Sequence, residues 1–165
     1  MADKPKDGGT GVYEVAACTP GELSKADLAA CLAIIRDGGA VDPESAAAEI
    51  PKGRVLVVVR SGRDVVGVGA IKRVRRTYAS GVAGHSGEPF PPDTPELGYV
   101  AVDPNHRGKG LAPCIVAALL SKHTGGLFAT TDNCRMKRTL AKAGFVQRGA
   151  EWDGQRGRLS LWIKG

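Results

Sequence analysis

Apolar residues along the chain recur in two periods. Leu28, Cys31, Leu32 and Ile35 stand three or four apart, which gathers them on one face of a helix. Leu111, Ile115, Leu119 and Leu120 repeat that spacing. Elsewhere the apolar residues come in short β-branched or continuous runs, over 12–17, 54–60, 65–74, 97–102 and 127–131, and these predict strands. Ser61-Gly62-Arg63-Asp64 joins 54–60 to 65–74 as a hairpin. Asp153-Gly154 joins 145–152 to 159–163 as another. Gly67 and Gly69 interrupt the second arm of the first hairpin and predict a bulge or a close backbone approach.

The helices carry their own punctuation. Thr19-Pro20-Gly21-Glu22 offers a cap, a first-turn proline and an acid three residues after the cap, and Ser24 with Asp27 is a competing start. Gly38-Gly39 ends that helix. Asp42-Pro43 opens a short alanine-rich helix that Pro51 stops. Pro113 falls in the first turn of a helix over 111–123, where a missing N–H is tolerated. A last helix spans 133–143, with Gly144 as its cap. Residues 78–95 mix glycine, serine and closely spaced prolines, and read as a polar loop serving as lid or acceptor-binding segment, with His85 inert within it. The order is β, α, α, β, β, loop, β, α, β, α, β, β.

A chain of 165 residues suits one domain with a single core, placed at 12–165 after a disordered leader over 1–11. The polar N-terminus lacks a secretory segment and no apolar run approaches the ~20 residues of a membrane span, so a cytoplasmic protein is expected. Cys18, Cys31, Cys114 and Cys134 are scattered without metal-ligand spacing, so no metal is expected, and Cys31 and Cys114 read as small buried thiols in a reduced compartment. The net charge of +6 (23 basic minus 17 acidic) suits a nucleic acid, a polyanionic cofactor or solubility alike. Lys72, Arg73, Arg75 and Arg76 form either a basic rim or a solvated strand end. A nucleic-acid-binding domain is disfavoured, because no helix-turn-helix, zinc or aromatic RNA-binding signature accompanies that charge. Trp152 and Trp162 in the last hairpin suit a core or a homodimer interface.

The most informative stretch is 96–112, ELGYVAVDPNHRGKGLA. A buried strand, Leu97 to Val102, is broken by Asp103-Pro104-Asn105 and followed by Arg107-Gly108-Lys109-Gly110 and a helix start. A helix N-terminus presents unpartnered N–H groups and partial positive charge. Gly108 and Gly110 allow close backbone approach, and Arg107 and Lys109 add full charges. Such a turn suits a phosphate or pyrophosphate. Pro113 stands where a dinucleotide fingerprint needs its third glycine, and the Walker spacing is absent.

Arg107, Gly110 and Ala112 resemble the acyl-CoA loop of the GNAT superfamily of N-acetyltransferases: Gln or Arg, two residues, Gly, one residue, Gly or Ala. Asn133, followed by Ala143-Gly144-Phe145, is similar to the family's last helix. The resemblance covers about 12–163 and implies the GNAT fold, an α/β (α+β type) domain. Its mixed central sheet of about six to seven strands is splayed between the central strands and flanked by about four helices. It implies acetyl-CoA as cosubstrate, with the pyrophosphate over Arg107, Gly108, Lys109, Gly110, Leu111 and Ala112. Backbone groups of Val100, Ala101 and Val102 would hold the pantetheine arm as if it were an added strand, and Asn133 would face that arm or the pyrophosphate. Glu96 occupies the position of the general base in some members. Strand alternation puts it on one face with Gly98, Val100 and Val102, and Tyr99 on the other. Leu140 stands where many members carry an acidic tyrosine.

The implied activity is direct transfer of acetyl to a primary amine, on a small molecule or a protein. A GNAT toxin acting on aminoacyl-tRNA and a non-catalytic CoA-binding regulatory module are the alternatives.

Overall fold

The structure, a computed structural model, describes residues 12–39 and 42–165. The predicted leader, 1–11, lies outside the described residues. Along the chain run β1 (Tyr13–Cys18), α1 (Lys25–Gly38), α2 (Pro43–Glu49), β2 (Val55–Ser61), β3 (Asp64–Ile71), α3 (Arg76–Ser86), β4 (Leu97–Val102), α4 (Leu111–Ser121), β5 (Leu127–Thr131), α5 (Cys134–Lys142), β6 (Val146–Asp153) and β7 (Arg158–Lys164). Single 3-10 turns precede α1 at Pro20–Glu22 and follow β4 at Pro104–His106.

The two candidate starts of α1 are both used, for different elements. The Glu22 carboxylate accepts the Thr19 N–H at 2.7 Å, but Leu23 is extended and the turn stops there. The Ser24 hydroxyl then accepts the Asp27 N–H at 3.1 Å and caps α1. Asp42 caps α2 in the same way, and Gly39, in the left-handed region, closes α1.

The strands form two antiparallel sheets, β1-β2-β3-β4 and β5-β7-β6. A single parallel bridge, Glu96 to Phe128, joins them. On one face, α4 and α5 cover both sheets. Leu111, Ile115, Val116 and Leu119 from α4 and Leu140 from α5 pack with Val57, Val59, Leu97, Leu127, Ala129 and Trp162. On the other face, Cys31, Ile34 and Ile35 of α1 and Ala46 of α2 pack on Leu56, Val58, Val68 and Tyr99. Beside them Ala79 and Val82 of α3 pack on Phe128 and Leu161. Trp162 is therefore core, its Nε1–H donating to the buried Ser160 hydroxyl at 2.9 Å.

Three expectations are corrected. Residues 78–95 are not one loop: α3 fills their first half, giving five α-helices among the described residues where about four were expected. Its buried residues, Ala79, Val82 and Ser86, keep helical spacing but are small, and Gly81 and Gly84 lower its propensity. Its polar composition concealed a helix whose stability comes from packing. Cys114 is exposed rather than buried, whereas Cys31 is fully buried and its thiol is pushed up to about 12, chiefly by burial. The strand from Val65 ends at Ile71, before the basic cluster.

Gly69 meets both alternatives predicted for it. Val68 pairs with Ala101 and Ala70 with Gly98, so Gly69 alone faces Tyr99 and Val100 across a bulge in β4. A Cβ on Gly69 would sit 2.3 Å from Ile115 Cγ2 of α4 and 3.2 Å from Leu119 Cδ1. Both residues are fully buried and cannot step aside. Gly69→Ala should therefore destabilise the fold by about 2 kcal/mol, in the range of overpacked cores. Urea unfolding measures this, and a midpoint unchanged from the parent would contradict the close approach.

Candidate active site

β4 is the edge of one sheet and β5 the edge of the other, and they run side by side in the same direction. They touch once, at Glu96 and Phe128, where the Phe128 N–H donates to the Pro95 carbonyl at 3.1 Å. Beyond that bridge no ladder pairs join Leu97–Val102 to Ala129–Thr131. A slot opens between two strand edges, whose backbone groups can pair with an extended guest.

The bulge shapes one wall of that slot. Tyr99 has φ +57°, a left-handed conformation that costs a non-glycine residue about 1 kcal/mol or more and persists only where the surroundings enforce it. The extra residue reverses the predicted alternation. Leu97, Val100 and Val102 face α4. Glu96 and Gly98 share the opposite face with Tyr99, as shown by a Cβ built on Gly98, which would lie 3.7 Å from Glu96 Oε2. Glu96 and Val100 are thus on opposite faces.

The slot's wide end meets the glycine turn. Gly108 and Gly110 have φ of +78° and +76°, and nothing lies within 4 Å of where their Cβ atoms would be. Gly110 is the N-cap of α4 and supplies no side-chain cap, so the first-turn N–H groups of Leu111 and Ala112 have no capping side chain. The Leu111 side chain is buried in the core, leaving its backbone for binding. Arg107 folds back along β4, with Nε donating to the Val102 carbonyl at 3.1 Å, and Lys109 is exposed in the same turn. An open turn with this charge could hold a pyrophosphate. Across the slot, Asn133 follows β5 and caps α5, its Oδ1 accepting the Met136 N–H at 3.0 Å. Leu140, fully buried, supplies no proton.

The sequence profile of the acetyltransferase (GNAT) family matches residues 27–145, more than half of the chain. The chain belongs to the GNAT family. Escherichia coli ElaA has the same fold, with TM-score 0.71 and 13% identity over 93% of this chain and 100% of that one. An acyl-CoA N-acyltransferase from Pseudomonas aeruginosa gives 0.70 and 10% identity, again over 93% and 100%. FeeM, an N-acyl amino acid synthase from uncultured soil microbes, gives 0.67 and 18% identity over 93% and 91%. No curated protein matches the chain in sequence. GNAT membership implies acyl transfer from CoA, and no helix among the described residues is long and apolar enough to cross a membrane.

The face of this GNAT domain opposite α4 carries polar groups that the sequence did not bring together. Glu96 and Lys72 are both buried, with Lys72 Nζ 2.9 Å from Glu96 Oε1. The approach is not aligned as a hydrogen bond, so the attraction is that of an ion pair. Gly98 makes room for it: a Cβ there would lie 2.7 Å from Lys72 Cε. The Lys72 ammonium also sits 4.1 Å from the centre of the Tyr99 ring. Tyr78 of α3 stacks on Phe128 at 6.3 Å, under the Arg75 guanidinium. Burial, then the Glu96 charge, pushes both the Tyr78 and Tyr99 phenols up to about 12, so they stay protonated at neutral pH.

The basic cluster is partly engaged within the domain: Lys72 pairs with Glu96, Arg73 with Glu49 at 2.8 Å, and Arg75 covers Tyr78, while Arg76 is exposed in the first turn of α3. The one sequence signal for the buried pair was a lysine near the end of one strand run, with a glutamate heading another. Removing one partner of a buried pair strands the other's charge. Lys72→Met should cost about 3 kcal/mol or more, and Lys72→Met with Glu96→Leu should recover most of that loss. Denaturant unfolding of both variants checks this, and a single variant as stable as the parent would refute the buried pairing.

Proposed function

We propose that this GNAT domain transfers an acetyl group from acetyl-CoA to a primary amine, with donor and acceptor bound together. The observation that carries the reading is the slot between β4 and β5, which touch only at Glu96–Phe128 and open toward the glycine turn of α4. A pantetheine arm lying between the strand edges pairs with backbone groups of Val100, Ala101 and Val102. Its pyrophosphate rests on Arg107, Gly108, Lys109, Gly110, Leu111 and Ala112, and Asn133 borders it from the β5 bank.

The bulge gives this arrangement a direction. The glycine turn opens α4 on one face of the sheets, whereas Glu96, Tyr99 and Tyr78 stand on the other. The donor then enters along the α4 face and the amine comes from the α1 and α3 face, meeting the thioester inside the slot. An N–H of the bulged strand polarises the thioester carbonyl and holds the oxyanion. The amine nitrogen bonds to the carbonyl carbon, the C–S bond breaks, and CoA leaves as the thiolate.

Glu96 remains the candidate base. Its Oε1 is against Lys72 and its Oε2 lies above Gly98, so it acts through a water. With Leu140 in the core, water protonates the thiolate. The engagement of Lys72, Arg73 and Arg75 within the domain weighs against tRNA as acceptor.

Acetyl-CoA should raise the thermal midpoint in proportion to the logarithm of its concentration, and CoA should be released when a panel of amines is added. Release is read by chromatography, since Cys114 and Cys134 are exposed thiols. Stabilisation without turnover would favour the regulatory CoA-binding module, and no stabilisation at all would refute both. Glu96→Gln, assayed below its unfolding temperature, should lose about tenfold or more in kcat while still binding acetyl-CoA. Undiminished turnover would exclude Glu96 as the base.

A further inference from the structure

A single side chain bridges the wide end of the slot on the acceptor face. Arg156 lies in the turn between β6 and β7, which is closed by the Gly154 N–H donating to the Gly157 carbonyl at 2.8 Å. Its Nη2 donates to Asp132 Oδ1 at 3.1 Å and its Nε to Oδ2 at 3.4 Å. Its Nη1 donates to the Gly38 carbonyl at the end of α1, at 3.1 Å. Gly38 stands over β4, where a Cβ on it would meet Ala101 Cβ at 3.9 Å. Asp132 follows the last residue of β5. One guanidinium therefore ties the bank formed by α1 and β4 to the bank formed by β5, across the span where the strands have parted.

We propose that Arg156 is the specificity-determining residue for the acceptor, and that the acceptor is an amine bearing a carboxylate, of the amino-acid class. The inference rests on the acyl-transfer reading of the slot. An amine approaching the thioester from the α1 face meets the Arg156–Asp132 pair first. The pair opens readily, because the Arg156 side chain is 44% exposed and the contact is worth little in water. What enters must satisfy the charges it separates. The planar fork of Arg156 matches an incoming carboxylate in two-pronged geometry, as it matches Asp132. Asp132, 16% exposed, is left to face the acceptor's ammonium. Cation and anion exchange partners and no charge is stranded. An amine with a neutral tail leaves Arg156 without its anion.

The transfer balances. Ammonium and acetyl-CoA give the acetamide, CoA thiol and one proton. The amine loses a proton before attack and a second as the C–S bond breaks, and one of the two ends on the CoA sulfur.

The test compares L-amino acids with their carboxamides as acceptors for the full chain, its Arg156→Ala variant and its Arg156→Lys variant. The parent should prefer the free acids by about tenfold or more in kcat/KM. Arg156→Ala should lose that preference through a raised KM for the acids, while the carboxamides are used at least as well as by the parent and acetyl-CoA still stabilises the variant. Arg156→Lys should retain part of the preference. Each variant's preference is a ratio of two acceptors, so it is insensitive to partial misfolding. Equal use of acids and amides by the parent overturns the proposal, as does a preference surviving in Arg156→Ala. Acetylation of other amines but of neither acids nor amides overturns it too, while leaving acyl transfer standing. Failure of acetyl-CoA to bind overturns the reading beneath it.

Discussion

The structure depends on two strand edges meeting at one point. β4 and β5 are each satisfied on one side by an antiparallel neighbour, and on the other side they touch only where Glu96 bridges Phe128. Continued pairing would close the two sheets into one and leave no gap between them. Unpaired strand edges inside a protein are costly unless something covers them. Here the geometry holds them apart: α4 presses on β3 at Gly69, β4 answers with a bulge, and Arg107 folds back onto the Val102 carbonyl. The strain of Tyr99 at φ +57° is the local cost of that arrangement.

The bulge also divides the chemistry between two faces. Without the extra residue, Glu96 would share a face with Val100 and Val102. With it, the α4 face keeps the glycine turn proposed to hold the pyrophosphate. The opposite face gathers the Lys72–Glu96 pair, two protonated phenols and the Arg156 bridge.

Much of this was legible in the sequence because it is written in local chemistry. Strand runs, caps and glycine stops placed most elements within a residue or two, and the glycine turn from Arg107 to Gly110 lies between β4 and α4 where composition put it. What escaped was set by tertiary contact. α3 has too few large apolar residues to announce itself and is held by Phe128 and Leu161 beneath it. The face of Glu96 depended on one inserted residue, which period-two counting cannot detect unless Gly69 on the partner strand is read as its cause. In the cationic stretch after β3, two of the four charges are paired by partners distant in sequence, Glu49 of α2 and Glu96 just before β4. Arg156 and Asp132, 24 residues apart, carried no signal at all.

Amide hydrogen exchange with and without acetyl-CoA tests the central claim most directly. The claim is that the parted edges are the acyl-CoA site. Slowed exchange should appear at Val100 to Val102 and at the turn into α4, Gly108 to Ala112, with the outer strands β1 and β6 unchanged. Protection confined to other segments, or none while acetyl-CoA is bound, would contradict it.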